Sequence, residues 1–234
     1  MRIVVQKFGG TSVATPETRR QVVRHIVRTR DDGYAVVAVV SAMGRRGDPY
    51  ATDTLLELLA KEAGTTPDPR EQDQLLCCGE VIACTLVAQA LIREGVAARS
   101  LTAAQAGIVT DEEYGEARVL QVRTERIRRE LAAGRVPVVA GFQGITEAGE
   151  MTTLGRGGSD TTAAALGVAL GAELVEIYTD VDGLKAADPR VVPEAPTLSS
   201  VAYREAAELA HLGARVVHPR AVEIAMEGHV PLRI

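Results

Sequence analysis

The sequence has 234 residues, of which 46% are hydrophobic and 24% are charged, with a formal net charge of −5 at pH 7. This composition is ordinary for a soluble globular protein that can bury a sizeable core. Only 3% of the residues are aromatic, there is no tryptophan, and no lysine or arginine tract occurs. A nucleic-acid surface built on basic stripes and stacking platforms is therefore not expected.

Cys77, Cys78 and Cys84 lie in one apolar segment and lack the paired spacing of a zinc site. We expect them to be reduced core residues of a cytoplasmic protein and not metal ligands. The first seven residues offer no secretory signal. No apolar run is long enough to span a bilayer, so no membrane association is expected.

Residues 3–8 are predicted to form a strand that enters a glycine loop at residues 9–13. Lys7 lies at the carboxyl end of this strand, a place that solvated lysines usually avoid. The lysine precedes the glycines, so the loop is neither a P-loop nor a G-x-G-x-x-G dinucleotide site. Lys7 is a candidate ligand contact; the alternative is a lysine whose ammonium reaches the surface.

A helix is predicted from Thr15 and Pro16 to about Asp31, followed by a buried strand at residues 35–41. Ser41 ends that strand, and Thr52 follows a polar loop at residues 45–51. Open α/β sheets bind ligands beyond the carboxyl ends of their strands, so both hydroxyls are well placed.

The next long helix is predicted from Asp68 and Pro69 through Leu91, with Glu80 among apolar residues. A glutamate there is costly unless it is paired. It is expected to face solvent or a salt bridge; the alternative is that it receives an ammonium group from a ligand. A strand is predicted at residues 97–101 and a helix at 124–133, while residues 103–121 are left unassigned.

A second glycine loop lies within residues 152–163, after a strand predicted at 136–142 and before a buried helix ended by Gly171. Glycines before a helix let the backbone approach an anion, toward which the first N–H groups point. Arg156 adds a planar donor for carboxylate or phosphate. Asp160 would repel phosphate, so it should orient a lysine, a nucleophile or a metal; alternatively, Ser159 or Asp160 is simply the N-cap.

Residues 174–179 are a predicted strand, followed by an acidic loop at 180–183 whose pattern does not continue as a calcium site. This loop is predicted to cover a nucleotide, with Lys185 and Arg190 as phosphate or base contacts; the alternative is an ordinary acidic turn. Further helices are predicted at about 201–211 and 219–227, and a last strand at 230–234. The four histidines are assigned no chemistry.

Strands alternate with helices throughout, which predicts one α/β domain with a mostly parallel sheet covered by helices on both faces. The ordered motifs resemble the catalytic domain of the aspartate kinases, within the amino-acid kinase family. The motifs are VQKFGGTSV (5–13), SAMG (41–44), GE (79–80), AGFQG (140–144), TTLGRGGSDTTA (152–163), TDVDG (179–183), ADPR (187–190) and HP (218–219).

The resemblance implies a three-layer α/β/α sandwich over residues 1–234, with ATP and Mg2+ as cofactors. It implies transfer of the γ-phosphoryl group to the side-chain carboxylate of L-aspartate, the first step of lysine, threonine and methionine biosynthesis. Catalysis is expected from Lys7, held in place by Asp160. The amino acid is expected to bind Ser41, Thr52, Glu80, Arg156 and Ser159. ATP is expected to bind Lys7, Phe8, Gly9, Gly10, Thr179, Asp180, Lys185 and Arg190, and no side chain is assigned as a metal ligand.

Two features depart from the aspartate kinase pattern. The regulatory ACT domains that usually follow are absent from this sequence, so feedback inhibition is not assumed for this polypeptide. The loop at residues 45–51 is an insertion ahead of Thr52. Two alternatives stay open: the same fold with acetylglutamate, glutamate or UMP as acceptor, or a weakly active scaffold subunit. We expect either a homo-oligomer or a partner regulatory chain.

Overall fold

The computed structural model describes residues 1–181, 183–187, 192, 194–211 and 217–234. The strands are β1 (Ile3–Phe8), β2 (Ala35–Val40), β3 (Ala98–Leu101), β4 (Ile108–Thr110), β5 (Val119–Val122), β6 (Val136–Ala140), β7 (Gln143–Ile145), β8 (Met151–Thr153), β9 (Leu174–Tyr178) and β10 (Leu232–Arg233). The helices are α1 (Gly10–Val13), α2 (Pro16–Asp31), α3 (Thr52–Ala63), α4 (Pro69–Arg93), α5 (Ala103–Ala106), α6 (Glu125–Ala132), α7 (Gly158–Leu170), α8 (Tyr203–His211) and α9 (Pro219–Glu227).

The central sheet has six parallel strands in the order β10-β9-β1-β2-β6-β3. Each buried strand sends alternate side chains to opposite faces, as the continuous apolar runs predicted. In β2, Val37 and Val39 face a core formed with α5, α6, α7, α8 and α9, whereas Val36 and Val40 face a core formed with α2 and α4. The predicted α/β/α layers are confirmed.

A smaller mixed sheet has the order β5-β4-β7-β8. Its strands β4 and β5, together with α5, account for most of the segment 103–121 that the sequence left unassigned. The pairing of β7 with β8 is antiparallel and brings Thr153 opposite Gln143. This small sheet therefore carries the chain from β6 to the start of α7.

Helix starts follow the predicted chemistry except at α7. The Thr15 side chain caps α2 in a capping box, and the Asp68 carboxylate accepts from the backbone of Arg70 and Glu71 at the start of α4. The N-cap of α7 is Gly157, in a left-handed conformation with φ of 68°. The alternative that Ser159 or Asp160 is the cap is wrong, because both lie inside the first turn.

Helix α4 corrects two expectations drawn from the sequence. It is long and apolar enough to cross a membrane by length and composition, although half of its most apolar window is buried inside the protein. Cys77 and Cys84 are buried in the protein, and burial raises the pKa of the Cys84 thiol to about 11. Cys78 is exposed, so it is not the core residue that was expected.

Candidate active site

A cavity of about 440 Å³ opens beyond the carboxyl ends of β1, β2 and β6, against the start of α7. Its size is in the range of small-molecule sites. The seven residues predicted for catalysis and amino-acid binding all line it: Lys7, Ser41, Thr52, Glu80, Arg156, Ser159 and Asp160. The structure therefore brings these seven residues together in one cleft, and the chemical role of each stays a prediction.

Lys7 and Asp160 form an ion pair at the back of this cleft. Lys7 Nζ lies 2.8 Å from Asp160 Oδ1, and each side chain is only 12% exposed. Asp160 is the third residue of α7, where the helix dipole favours a negative charge. The ammonium is thus held inside the cleft. The alternative, in which the Lys7 ammonium reaches the surface, is wrong.

The glycine turn at residues 155–158 brings Arg156 to the cleft. Gly155 and Gly157 have φ values of 72° and 68°, a region in which side chains are disfavoured. A Cβ on Gly157 would lie 2.3 Å from the imidazole of His218, and one on Gly158 would lie 2.8 Å from the ring of Phe142. Arg156 is exposed at the tip of the turn and pairs with no carboxylate among the described residues.

Glu80 is buried in α4, with only 2% of its surface exposed. Its Oε1 accepts from the backbone N–H of Ala42 at 2.9 Å, while Oε2 has no hydrogen-bond partner among the described residues. Burial raises the pKa of Glu80 to about 8. The expectation of a solvent-facing or salt-bridged glutamate is wrong, because the side chain is buried and forms no ion pair with the described residues. The other alternative, an ammonium group from a ligand, remains.

The three predicted hydroxyls all line the cleft. Ser41 Oγ donates to Ser159 Oγ at 3.0 Å, which joins the end of β2 to the first turn of α7. Thr52 is the first residue of α3 and lines the cleft in spite of the preceding insertion. The inserted loop is anchored through Asp48 Oδ2, which accepts from the backbone of Arg45, and Thr54 Oγ1, which accepts from that of Gly47.

The residues predicted for phosphate binding at the end of β1 are closely packed. Gly9 N–H donates to Tyr178 O at 3.3 Å, so this group is already engaged. Gly10 begins α1, and a first helical N–H has no acceptor within its helix. A Cβ at Gly10 would lie 2.5 Å from Ala42 O. Phe8 is buried and stacks on Tyr178 with ring centroids 4.8 Å apart, and its C=O accepts from the backbone N–H of Ser41 at 3.2 Å.

Of the remaining predicted nucleotide contacts, Thr179, Asp180 and Lys185 follow β9 and are not among the residues that line the cleft. Thr179 and Asp180 come directly after that strand, and Asp180 Oδ2 lies 2.7 Å from Arg45 Nη2. Lys185 forms a short antiparallel bridge with Thr197. Arg190 lies outside the described residues, as does Asp182 of the acidic loop. The described residues predicted to bind the nucleotide after β9 are therefore separate from those predicted to bind the amino acid.

Asp73 supports the cleft although the sequence gave no indication of it. Its side chain is fully buried; Oδ2 accepts from the backbone of Gly115 and Thr153 at 2.9 and 2.7 Å, and Oδ1 from Thr153 Oγ1 at 2.8 Å. Both Gly115 and Thr153 line the cleft. Asp73 precedes the apolar part of α4 among polar residues, so no pattern distinguished it.

Phe142 and His218 are further residues at the site that the sequence did not assign. Phe142 has a φ of 67°, which is strained for a bulky side chain, and it lines the cleft. His218 caps α9 and packs behind the glycine turn; burial lowers its pKa, and Nδ1 has no partner among the described residues. The HP motif was noted, but its packing against Gly157 could be found only in three dimensions.

The described residues contain no group of three histidine, cysteine, aspartate or glutamate side chains placed to hold a metal ion. Magnesium in phosphoryl-transfer sites is usually bound by substrate phosphates and water with one or two carboxylates. This chain's donor set therefore fits a metal ion that is carried largely by a nucleotide.

The chain matches the model of the amino acid kinase family over residues 2–234. It is 52% identical to aspartokinase 1 of Bacillus subtilis and 50% identical to the aspartokinase of Geobacillus stearothermophilus, in each case over its full length. It spans only 58% and 56% of those two proteins.

Solved structures give the same result. The aspartate kinase from Synechocystis matches 98% of this chain with a TM-score of 0.84 and 47% identity, over 37% of its own length. Aspartokinase III of E. coli, in complex with aspartate and ADP, matches 99% with a TM-score of 0.84 and 28% identity, over 61% of its own length. The ordered motifs, the parallel sheet and these matches agree that the chain belongs to the amino acid kinase family.

Proposed function

We propose that this chain is the catalytic domain of an aspartate kinase, extending over residues 1–234. It transfers the γ-phosphoryl group of ATP to the side-chain carboxylate of L-aspartate and releases ADP and 4-phospho-L-aspartate. The observation that carries this proposal is that one cleft holds two groups of opposite charge preference, the guanidinium of Arg156 and Oε2 of Glu80, neither of which has a partner among the described residues. The names of its relatives and the aspartate and ADP in the E. coli structure support it.

The amino acid is held by complementary charges. Arg156 presents a planar donor to the α-carboxylate, and Glu80 accepts hydrogen bonds from the α-ammonium. Burial raises the pKa of Glu80, and an ammonium group beside its carboxyl group favours the ionised form. The hydroxyls of Ser41, Thr52 and Ser159 are available to orient the side-chain carboxylate.

The chemical step needs positioning more than proton transfer. A carboxylate oxygen of aspartate forms a bond to the γ-phosphorus, the bond from that phosphorus to the β–γ bridging oxygen breaks, and its electron pair leaves on ADP. The attacking carboxylate is already ionised at neutral pH, so no general base is required. Lys7 stabilises charge on the transferred group, while Asp160 orients Lys7 and takes up no proton.

The nucleotide lies on the other side of β1. Lys7 and the backbone of Phe8, Gly9 and Gly10 face its phosphates, with Gly9 sharing its N–H with Tyr178 O. When bound, Mg2+ supplies further neutralisation of the phosphate charge. Thr179, Asp180, Lys185 and Arg190 are proposed to complete the nucleotide site.

We place this activity in the cytoplasm, in the biosynthesis of lysine, threonine and methionine. A homo-oligomer or a complex with a regulatory chain is proposed as the working form. The ordinary soluble composition, with its acidic net charge and few aromatic residues, supports a protein that binds neither nucleic acid nor membranes.

An acceptor panel tests the proposed function. ADP release is measured with ATP and Mg2+ in the presence of L-aspartate, acetylglutamate, glutamate, UMP or succinate, and hydroxylamine traps any acyl phosphate. We expect turnover and a hydroxamate with L-aspartate, and much weaker activity with succinate, which lacks the ammonium that Glu80 recognises.

Preference for UMP or another acceptor would overturn the substrate assignment. A folded sample that binds ATP and turns over no acceptor would favour the scaffold alternative.

A further inference from the structure

We infer that Arg45 is a phosphate-contacting residue, which exchanges Asp180 for the terminal phosphate of the nucleotide when ATP binds. This inference rests on the proposed function, because it takes ATP as the second substrate. It assigns a role to the inserted loop at residues 45–51, which the resemblance to aspartate kinases left without one.

The sheet places Arg45 across the phosphate side of the site. β1 lies between β2 and β9, with Phe8 opposite both Val40 and Tyr178. Neighbouring strands are about 4.8 Å apart, so the segments that follow β2 and β9 stand about 10 Å apart on either side of the Gly9–Gly10 turn. A guanidinium that reaches from Arg45 to Asp180 therefore crosses the carboxyl end of β1.

The backbone before Arg45 rests directly on this turn. Gly44 N–H donates to Gly10 O at 3.1 Å, and a Cβ on Gly10 would lie 3.0 Å from Gly44 O. The cleft for the amino acid is lined by Lys7 of β1 and by Ser41 after β2. The phosphate that is transferred must face that cleft, so it lies on the β2 side of β1, where the Arg45 backbone is fixed.

Charge explains why a guanidinium is suited to lie beside Asp180. A carboxylate at the edge of a polyphosphate site repels the ligand unless a cation lies between them. The two side chains are 70% and 60% exposed, and ion pairs of this kind contribute little to stability. A terminal phosphate offers a higher charge and bidentate acceptor geometry, so it competes effectively for the guanidinium.

The neighbouring residue Arg46 provides a matched control. Its guanidinium lies 2.6 Å from Glu57 of α3 and is 76% exposed, so it resembles Arg45 in exposure and in having one carboxylate partner. Glu57 is on α3 and, like Arg46, does not line the cleft. Of these two arginines, Arg45 reaches across the end of β1 to Asp180, whereas Arg46 pairs with Glu57 of α3.

Calorimetric binding of ATP and ADP, each with Mg2+, tests the inference in the full chain. We expect Arg45→Ala to weaken ATP binding roughly tenfold, the effect of one hydrogen bond to a charged group. ADP lacks the terminal phosphate, so its binding should change by less than about threefold. Arg46→Ala should leave both affinities within about twofold, and Arg45→Lys should recover part of the loss.

The variant Asp180→Asn tests whether Arg45 acts by contacting the phosphate or by stabilising the loop through its ion pair with Asp180. If Arg45 contacts the terminal phosphate, Asp180→Asn keeps or increases the preference for ATP over ADP, because it removes a carboxylate that competes for the guanidinium and repels the phosphate. If Asp180→Asn loses that preference as fully as Arg45→Ala does, the ion pair itself is what matters and the inference is overturned. Equal behaviour of Arg45→Ala and Arg46→Ala would also overturn it.

Two controls keep the outcome clear. Thermal melting establishes that each variant is folded, and Arg45→Gln replaces Arg45→Ala if the latter is not. Absence of aspartate-dependent ADP release from the wild type would contradict the proposed function alone, since the ATP to ADP affinity ratio is measured without an acceptor.

Discussion

Two ion pairs of an aspartate with a basic residue stand on the two sides of this site, and they differ in burial and not in length. Lys7 and Asp160 approach to 2.8 Å with side chains 12% exposed, whereas Arg45 and Asp180 approach to 2.7 Å with side chains 70% and 60% exposed. A buried pair is costly to break because it leaves an uncompensated charge, and an exposed pair is not. The first is suited to hold a position and the second to change partners.

The two ion pairs also differ in the kind of element that carries them. Lys7 belongs to the interior strand β1 and Asp160 to the first turn of α7, so both backbones are fixed by regular hydrogen bonds. Arg45 and Asp180 both lie in segments that follow strands. The buried pair thus comes from regular elements, and the exposed pair comes from loops.

The largest effect is expected from Lys7→Ala. Loss of a donor that stabilises transition-state charge should lower kcat by roughly 100- to 1000-fold and change aspartate binding much less. Steady-state kinetics at saturating ATP measures both. Unchanged turnover would remove Lys7 from the mechanism and with it the contrast between the two pairs.

Next in size is the effect of Asp160→Asn on stability. Removing one partner from a mostly buried pair should lower the free energy of unfolding by about 2 kcal/mol, whereas Asp180→Asn should change it by less than about 0.5 kcal/mol. Urea denaturation measures both. Equal effects would show that the difference in burial has no energetic meaning.

The smallest kinetic effect is expected from Glu80→Gln, and it depends on pH. The raised pKa means that the folded state retains a proton that the unfolded state loses, so this group's contribution to stability declines as pH rises from about 4.5 to about 8. Glu80→Gln should remove that decline and raise the aspartate KM roughly tenfold at pH 8. Melting temperatures and kinetics from pH 5 to 8 give both quantities.

A wild-type stability without the decline would place the pKa of Glu80 near its ordinary value. Glu71→Gln, an exposed change on the same helix, is the control.

The central sheet could be predicted because its strands are continuous apolar runs separated by helices with recognisable caps. The small sheet could not, because β4, β7 and β8 have three residues each and too few positions to show a period. Lys7, Arg156 and Asp160 were found because charged residues beside glycine loops are conspicuous in sequence.

Asp73 was missed because its partners are backbone N–H groups 42 and 80 residues away. The surroundings of the Glu80 side chain were predicted wrongly for a similar reason. Its burial is a property of the packed helix and cannot be judged from neighbours in the sequence.

The packing of His218 against Gly157 constrains how this site can vary in evolution. The imidazole occupies the space that a Cβ at position 157 would need, 61 positions earlier in the chain. Any side chain at 157 therefore requires a smaller residue at 218, and even then the positive φ favours glycine. Across relatives the two positions should vary as a pair, with the ring lost before, or together with, the glycine.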